Sequence, residues 1–240
     1  MSAPIVVHPL APRRFWQVRP GVRLFSFYTF SVVTLRLLFA MLCDLRIVGR
    51  ERIPQDGPLI LVSNHIHFVD PPLIGRALPR KVLFMAKSEL FEIPVLGWIV
   101  RHFDAFPVRR GTADRQALRN ALDALRMGHV IGLFPEGTRS RTGAMRPAHA
   151  GAALVALRGN ATIVPVAIDG TDQIFSALKS LRRARVTVTF GEPFRLEDID
   201  GLREQRGDLD TVLGSMMARV AALLPPWRRG VFADWQATAA

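Results

Sequence analysis

The chain has a single cysteine, Cys43. That excludes an intrachain disulfide and a cysteine-rich zinc site. Cys43 lies in the most apolar stretch, where a thiol acts as an inert packing group. Lysine is also scarce: Lys81, Lys87 and Lys179 are the only ones, so the formal charge of +12 is carried almost entirely by arginine. No Gly-x-Ser-x-Gly elbow occurs, and with it goes the usual serine nucleophile of a hydrolase sheet. Neither a Gly-x-x-x-x-Gly-Lys phosphate loop nor a Gly-x-Gly-x-x-Gly dinucleotide fingerprint is present. Internal repeats and long low-complexity segments are missing as well. Any chemistry must therefore come from general acids and bases rather than from a covalent acyl-enzyme or a bound nucleotide cofactor.

What the chain does have is 240 residues, close to half of them apolar, enough for one sizeable core. The arginine surplus calls for an anionic neighbour: phosphate groups, acidic lipid or nucleic acid. Residues 1–20 form a basic arm with prolines and no periodic pattern. Val22 to Cys43 is mostly apolar and rich in Phe and Leu, broken by Arg23 and Arg36. Its length approaches a membrane span, but Arg36 makes a clean crossing costly. A helix lying in one leaflet, with its arginines reaching for phosphates, fits better than a core helix.

From residue 45 the pattern alternates between strand and helix. Strands are expected at 45–48, 58–63, 82–86, 105–108, 130–134, 162–168 and 186–190. Helices are expected at 72–78, 93–103, 112–127, 149–157 and 209–224. Such alternation predicts an α/β fold with a mostly parallel central sheet flanked by helices. Ligands then sit beyond the carboxyl ends of the strands. Several polar clusters fall at those ends: after Ser63, Ala86, Val108 and Phe134.

The first cluster is Asn64-His65-Ile66-His67-Phe68-Val69-Asp70, followed by Pro71-Pro72. Prolines suit the first turn of a helix, which puts Asp70 in an N-cap position. Across such a turn His65 and Asp70 can meet. A carboxylate on one ring nitrogen makes the other a better base. The pair could equally be a structural cap. His65-x-His67 could also begin a zinc site, but His8, His102, His129 and His149 form no second cluster, so no metal is expected. The cluster after Phe134 delivers Pro135-Glu136-Gly137-Thr138-Arg139-Ser140. Gly137 permits close backbone approach, and Arg139 offers paired donors for a phosphate or carboxylate. Lys87 and Arg110, also at strand ends, could add charge to the same place.

Together these residues resemble the glycerolipid acyltransferases. Asn64-His65-x4-Asp70 is similar to their His-x4-Asp motif, and Phe106-Pro107-Val108-Arg109-Arg110 to the second motif, with its terminal arginine at Arg110. Phe134 to Ser140 matches the third motif, and Ile163-Val164-Pro165-Val166-Ala167 resembles the fourth. The resemblance spans roughly residues 45–195. It implies a glycerol-phosphate acyltransferase-like fold. The chain divides into residues 1–44 as basic arm and membrane-associating helix, 45–225 as acyltransferase domain and 226–240 as a peripheral tail, in which Trp227, Phe232 and Trp235 could touch lipid or core.

The implied activity is transfer of an acyl group from acyl-CoA or acyl carrier protein to a lysophospholipid hydroxyl. The default acceptor is 1-acyl-glycerol 3-phosphate; another lysolipid or glycerol 3-phosphate itself is the alternative. His65 would be the base and Asp70 its orienter. Lys87, Arg110 and Arg139 would bind the acceptor phosphate, and Asn64, Glu136, Gly137 and Thr138 would shape the acceptor pocket. No cofactor is implied beyond the thioester co-substrate. The expected location is the cytoplasmic face of the cell membrane, on an anionic surface. His67 and Arg109 depart from the family pattern. A basic membrane-surface or nucleic-acid-binding protein is the non-enzymatic alternative; it accounts for the charge but not for polar clusters at strand ends, and no nucleic-acid motif is present.

Overall fold

The computed structural model describes residues 34, 39–78, 80–103, 105–109, 114–199 and 208–235. Seven strands form one sheet: β1 (Cys43–Val48), β2 (Leu59–Ser63), β3 (Val82–Lys87), β4 (Phe106–Val108), β5 (Val130–Leu133), β6 (Thr162–Asp169) and β7 (Ala184–Phe190), in the order β1-β7-β6-β2-β5-β3-β4. The five strands from β6 to β4 are parallel. β7 is antiparallel to β6, and β1 follows β7, so this edge pair runs the other way. The expected mostly parallel α/β sheet is the one found.

β2 is the centre strand, and all five of its residues are buried. Its alternating side chains feed two cores. Ile60 and Val62 join the apolar cluster under α3 (Arg115–Arg126), α4 (Ala150–Gly159) and α6 (Leu209–Ala222). Leu59 and Leu61 join the opposite cluster with Ile74 and Ala77 of α1 (Asp70–Ala77). The amphipathic spacing in α3 turns Ala117, Ala121 and Leu125 inward, and the Asp114 carboxylate caps its first turn by accepting from Gln116 and Ala117 N–H. α2 (Pro94–His102) packs against the Ser88–Phe91 turn after β3. From β2 the chain goes to β3, β4 and β5 on one side and then to β6 and β7 on the other, where β7 pairs with β1. The C-terminal end of β2 is thus where the strand order diverges, the place where α/β sheets open a crevice.

Four expectations are corrected. Asp70 is the first residue of α1, not its cap; the N-cap position is Val69. The carboxylate of Asp70 faces back into the preceding turn, whose N–H groups outcompete those of the helix. A short helix, α5 (Ile174–Lys179), lies between the strands expected at 162–168 and 186–190, where no element is assigned from the sequence, because six residues are too few to display a period. Cys43 opens β1 and is not the end of an apolar helix. The peripheral tail is not peripheral as far as residue 235. Phe232 is buried, Trp235 packs on α6 at Gly214, and Arg228 is 5% exposed among acidic partners. The N-terminal arm and nearly all of the apolar segment lie outside the described residues, where residues 39–42 are helical with Phe39 buried. Among the described residues no helix is long and apolar enough to cross a membrane.

Candidate active site

The site is built where β2 ends. Asn64 continues the line of the strand, and its side chain acts as an extra rung of the sheet. Nδ2 donates to the Ile168 carbonyl (2.9 Å), and Oδ1 accepts from the Ile168 N–H (2.8 Å). The backbone then leaves the sheet in a tight turn closed by Asp70.

Asp70 is fully buried and accepts four hydrogen bonds. Oδ2 takes the N–H of Ile66 (2.8 Å), the N–H of His67 (2.7 Å) and Nδ1 of His65 (2.8 Å). Oδ1 takes the hydroxyl of Thr171 (2.7 Å). A carboxylate surrounded by donors is acceptor-only. The shared proton therefore belongs to His65 Nδ1, and the lone pair is left on Nε2. Phe134 stacks on the imidazole with ring centroids 4.2 Å apart, which fixes the ring's plane.

Glu136 is the second buried carboxylate, 1% exposed. Its Oε1 accepts the His65 N–H (3.1 Å) and its Oε2 the Arg146 N–H (3.0 Å). Burial pushes its pKa up to about 7, against the pull of those two N–H groups and the Arg146 charge. The His65 carbonyl accepts from Ser140 N–H (2.7 Å), so both sides of His65 are tied to the 136–140 loop. Gly137 adopts φ +67°, where other residues are strained, and a Cβ there would sit 2.7 Å from the His149 ring and have to displace it.

The expected cations are placed unequally. Arg139 is exposed and makes no hydrogen bond or ion pair among the described residues. It is close enough that its charge, after burial, helps to lower the pKa of His67. Lys87 ends β3 and is ion-paired with Glu89 (2.8 Å). Arg110 lies outside the described residues. Thr138 is half-buried in the loop. His67 packs against the rings of Phe68 and Phe175, and its buried Nδ1 has no hydrogen-bond partner among the described residues. Among the described residues no three His, Cys, Asp or Glu side chains come together as a metal set.

Two contributors were missed from the sequence. Thr171 stands 101 positions from Asp70, and nothing local marks it. Arg228 donates Nε to Asp169 (2.8 Å) and both terminal nitrogens to Asp172 (2.9 Å each), clamping the turn that carries Thr171 from both sides. The Arg228 carbonyl accepts from Met145 N–H (2.8 Å), and the backbone of Gly143 lies against the guanidinium. The C-terminal segment thus braces the turn behind Asp70 and the loop beyond Ser140 together. A usable signal existed: Asp169-Gly170-Thr171-Asp172 follows a buried apolar strand, the same position as every other polar cluster.

The Acyltransferase family description matches residues 44–169. The chain is 27% identical over 172 residues to the 1-acyl-sn-glycerol-3-phosphate acyltransferase of Bacillus subtilis (strain 168), covering 71% of this chain and 84% of that one. It is 28% identical over 183 residues to the lyso-ornithine lipid O-acyltransferase of Pseudomonas aeruginosa, covering 69% of each. Among solved structures, the 1-acyl-sn-glycerophosphate (LPA) acyltransferase PlsC of Thermotoga maritima superposes with a TM-score of 0.60 at 28% identity, covering 76% of this chain and 75% of that one.

Proposed function

The chain belongs to the acyltransferase family, and from that premise we propose that it acylates the free hydroxyl of a lysophospholipid, 1-acyl-glycerol 3-phosphate first among them, using His65 as general base. The observation that carries this reading is the His65–Asp70 pair: one ring nitrogen held at 2.8 Å by a buried carboxylate, the other left to act. Nε2 takes the proton of the acceptor hydroxyl. The oxygen attacks the thioester carbonyl of acyl-CoA or acyl carrier protein. The C–O bond forms, the C–S bond breaks, and the thiolate leaves with the proton from His65. No covalent enzyme intermediate and no cofactor take part.

Asp70 is the orienter, and Asn64 and Glu136 hold the His65 turn in place. Arg139 is the first candidate for the acceptor phosphate, since its guanidinium has no partner of its own among the described residues. Lys87 would have to exchange Glu89 for the phosphate, and Arg110 joins them through the motif alone. Gly137 and Thr138 line the approach. The enzyme would work at the cytoplasmic face of the membrane, where its acceptor is held, and nucleic acid has no part in this reading.

A second reading, an acceptor without phosphate, is favoured by two observations. Lys87 is already neutralised by Glu89, and one relative is named for lyso-ornithine lipid. The test is acyl transfer with a panel of lysolipids and both classes of thioester, comparing wild type with His65→Ala. Loss of turnover in the variant, with the acceptor series led by the phosphate-bearing lysolipid, is the expected result. A His65→Ala enzyme with normal turnover would refute the base.

A further inference from the structure

Large exposed apolar side chains are concentrated at one end of this molecule. Among the described residues, all of them except Met127 lie on segments that follow the C-terminal ends of β2, β3 and β6, that precede β1, or that Arg228 holds beside Asp172. Because β7 and β1 run against the other strands, their N-terminal ends share the end where β2 delivers His65. Among the described residues, Met127 is the one large exposed apolar side chain at the opposite end of the sheet.

The densest part of this surface is α5 and the turn after it. Phe175 and Leu178 are exposed on the helix. Leu181 is 95% exposed at the tip of the turn, in a left-handed conformation (φ +52°) that a leucine adopts only at a cost. Lys179 and Arg182 flank it, Arg183 ties back to the Cys43 carbonyl, and no Asp or Glu occurs between Ile174 and Gly191. The apolar surface continues to the catalytic turn: the Phe175 ring lies 5.9 Å from that of Phe68 and 5.3 Å from that of His67. A purely aqueous surface has no use for a leucine held out on a strained turn among cations. An interface with acyl chains below and anionic headgroups around does.

We propose that Phe175, Leu178 and Leu181, with Lys179 and Arg182 around them, form a membrane-docking lip on the folded domain itself, which seats the His65 end against an anionic bilayer. This deepens the lysolipid reading and rests on it for its purpose, since an acceptor could then pass Phe68 to His65 without leaving the lipid. It gives the folded domain a contact of its own beside the end of the N-terminal apolar segment, where Phe39 and Leu42 pack with Ile174 and Ala177 of α5.

The test is Leu181→Cys in the full chain, labelled with an environment-sensitive fluorophore; native Cys43 is buried and does not compete for the label. Met127→Cys, at the opposite end, is the control. With vesicles of phosphatidylcholine and phosphatidylglycerol, the label at 181 is expected to shift to shorter wavelength while that at 127 does not move. Phosphatidylcholine alone should produce a weaker shift. The double variant Phe175→Ser, Leu181→Ser should weaken vesicle binding about tenfold without lowering the melting temperature. A protein that binds vesicles while the label at 181 reports water overturns the lip. So does a double variant that binds as wild type and instead changes the oligomeric state or the melting temperature, because the surface then belongs to another copy or another segment of the chain. A wild type that acylates no lysolipid defeats the functional reading, while the fluorescence still decides the surface.

Discussion

Replacing Glu136 by Gln gives the sharpest test of how the His65 turn is held. Glu136 is buried, with a pKa raised from 4.5 to about 7 because burial disfavours its charged form more than two N–H groups favour it. That shift is worth roughly 3 kcal/mol between the two protonation states. Between the unfolded and folded pKa values the native protein keeps a proton that the unfolded chain has released. Stability from this group is therefore fully present below pH 4.5 and is lost as pH rises through about 7. For a chain of this size the loss corresponds to roughly 6–12 °C in melting temperature. The amide of the Glu136→Gln variant does not titrate, so its curve lacks this decline. That amide also sets an N–H donor against the N–H of His65 or Arg146, a pH-independent cost of about 1–3 kcal/mol. Thermal unfolding of both proteins from below pH 4.5 to above pH 7 should show the variant less stable in acid and the gap closing toward alkaline pH. Carboxylates common to both cancel in the difference. Parallel curves would refute the argument, because Glu136 would then be ionised at no expense throughout.

Two further predictions concern residues behind Asp70. Thr171→Val keeps the shape and removes the hydroxyl from Asp70 Oδ1, leaving a fully buried carboxylate oxygen without its donor. A hydrogen bond to a charged group is worth about 1.5–3 kcal/mol, so turnover should fall at least tenfold and Thr171→Ser should restore it; an unchanged kcat would remove Thr171 from the machinery. Arg228→Met strands Asp169 and Asp172. These are 35% and 37% exposed and can rehydrate, so the loss should be about 2 kcal/mol rather than the larger cost of a fully buried pair. Calorimetry should then find the melting temperature roughly 4–8 °C lower, and Arg228→Lys should recover little, because a single ammonium cannot match the fork on Asp172.

The parts of this molecule legible in its sequence are those with local causes. The buried run Leu59 to Val62 reads as a centre strand because both of its faces are apolar, and it is one. His65 and Asp70 are close enough in sequence for a turn to bring them together, and it does. Illegible were the contacts that only tertiary folding creates. Glu136 reads as a pocket wall from its motif, but its carboxylate is spent on two backbone N–H groups, one of them 71 positions away. Arg228 looks like one more arginine in an arginine-rich chain. Nothing in Arg228-Arg229 distinguishes the buried arginine from its half-buried neighbour until the Asp169 and Asp172 carboxylates are found beneath Arg228. The N-cap reading of Asp70 failed for a local reason: the N–H groups of Ile66 and His67, four and three residues before it, win its carboxylate, and a capping rule looks only forward into the helix.

The peptide units on either side of His65 hydrogen-bond to the 136–140 loop, one through Glu136 and the other through Ser140 N–H. Recognition and chemistry are usually treated as modules that can be exchanged separately. Here the stretch that would be transplanted from a relative to change acceptor preference is also the scaffold on which His65, the proposed base, is mounted. A graft of residues 134–140 must therefore carry over the spacing of Glu136 and Ser140 unchanged. Between those two residues Gly137, Thr138 and Arg139 are left to vary, and Gly137 is already constrained by its own backbone.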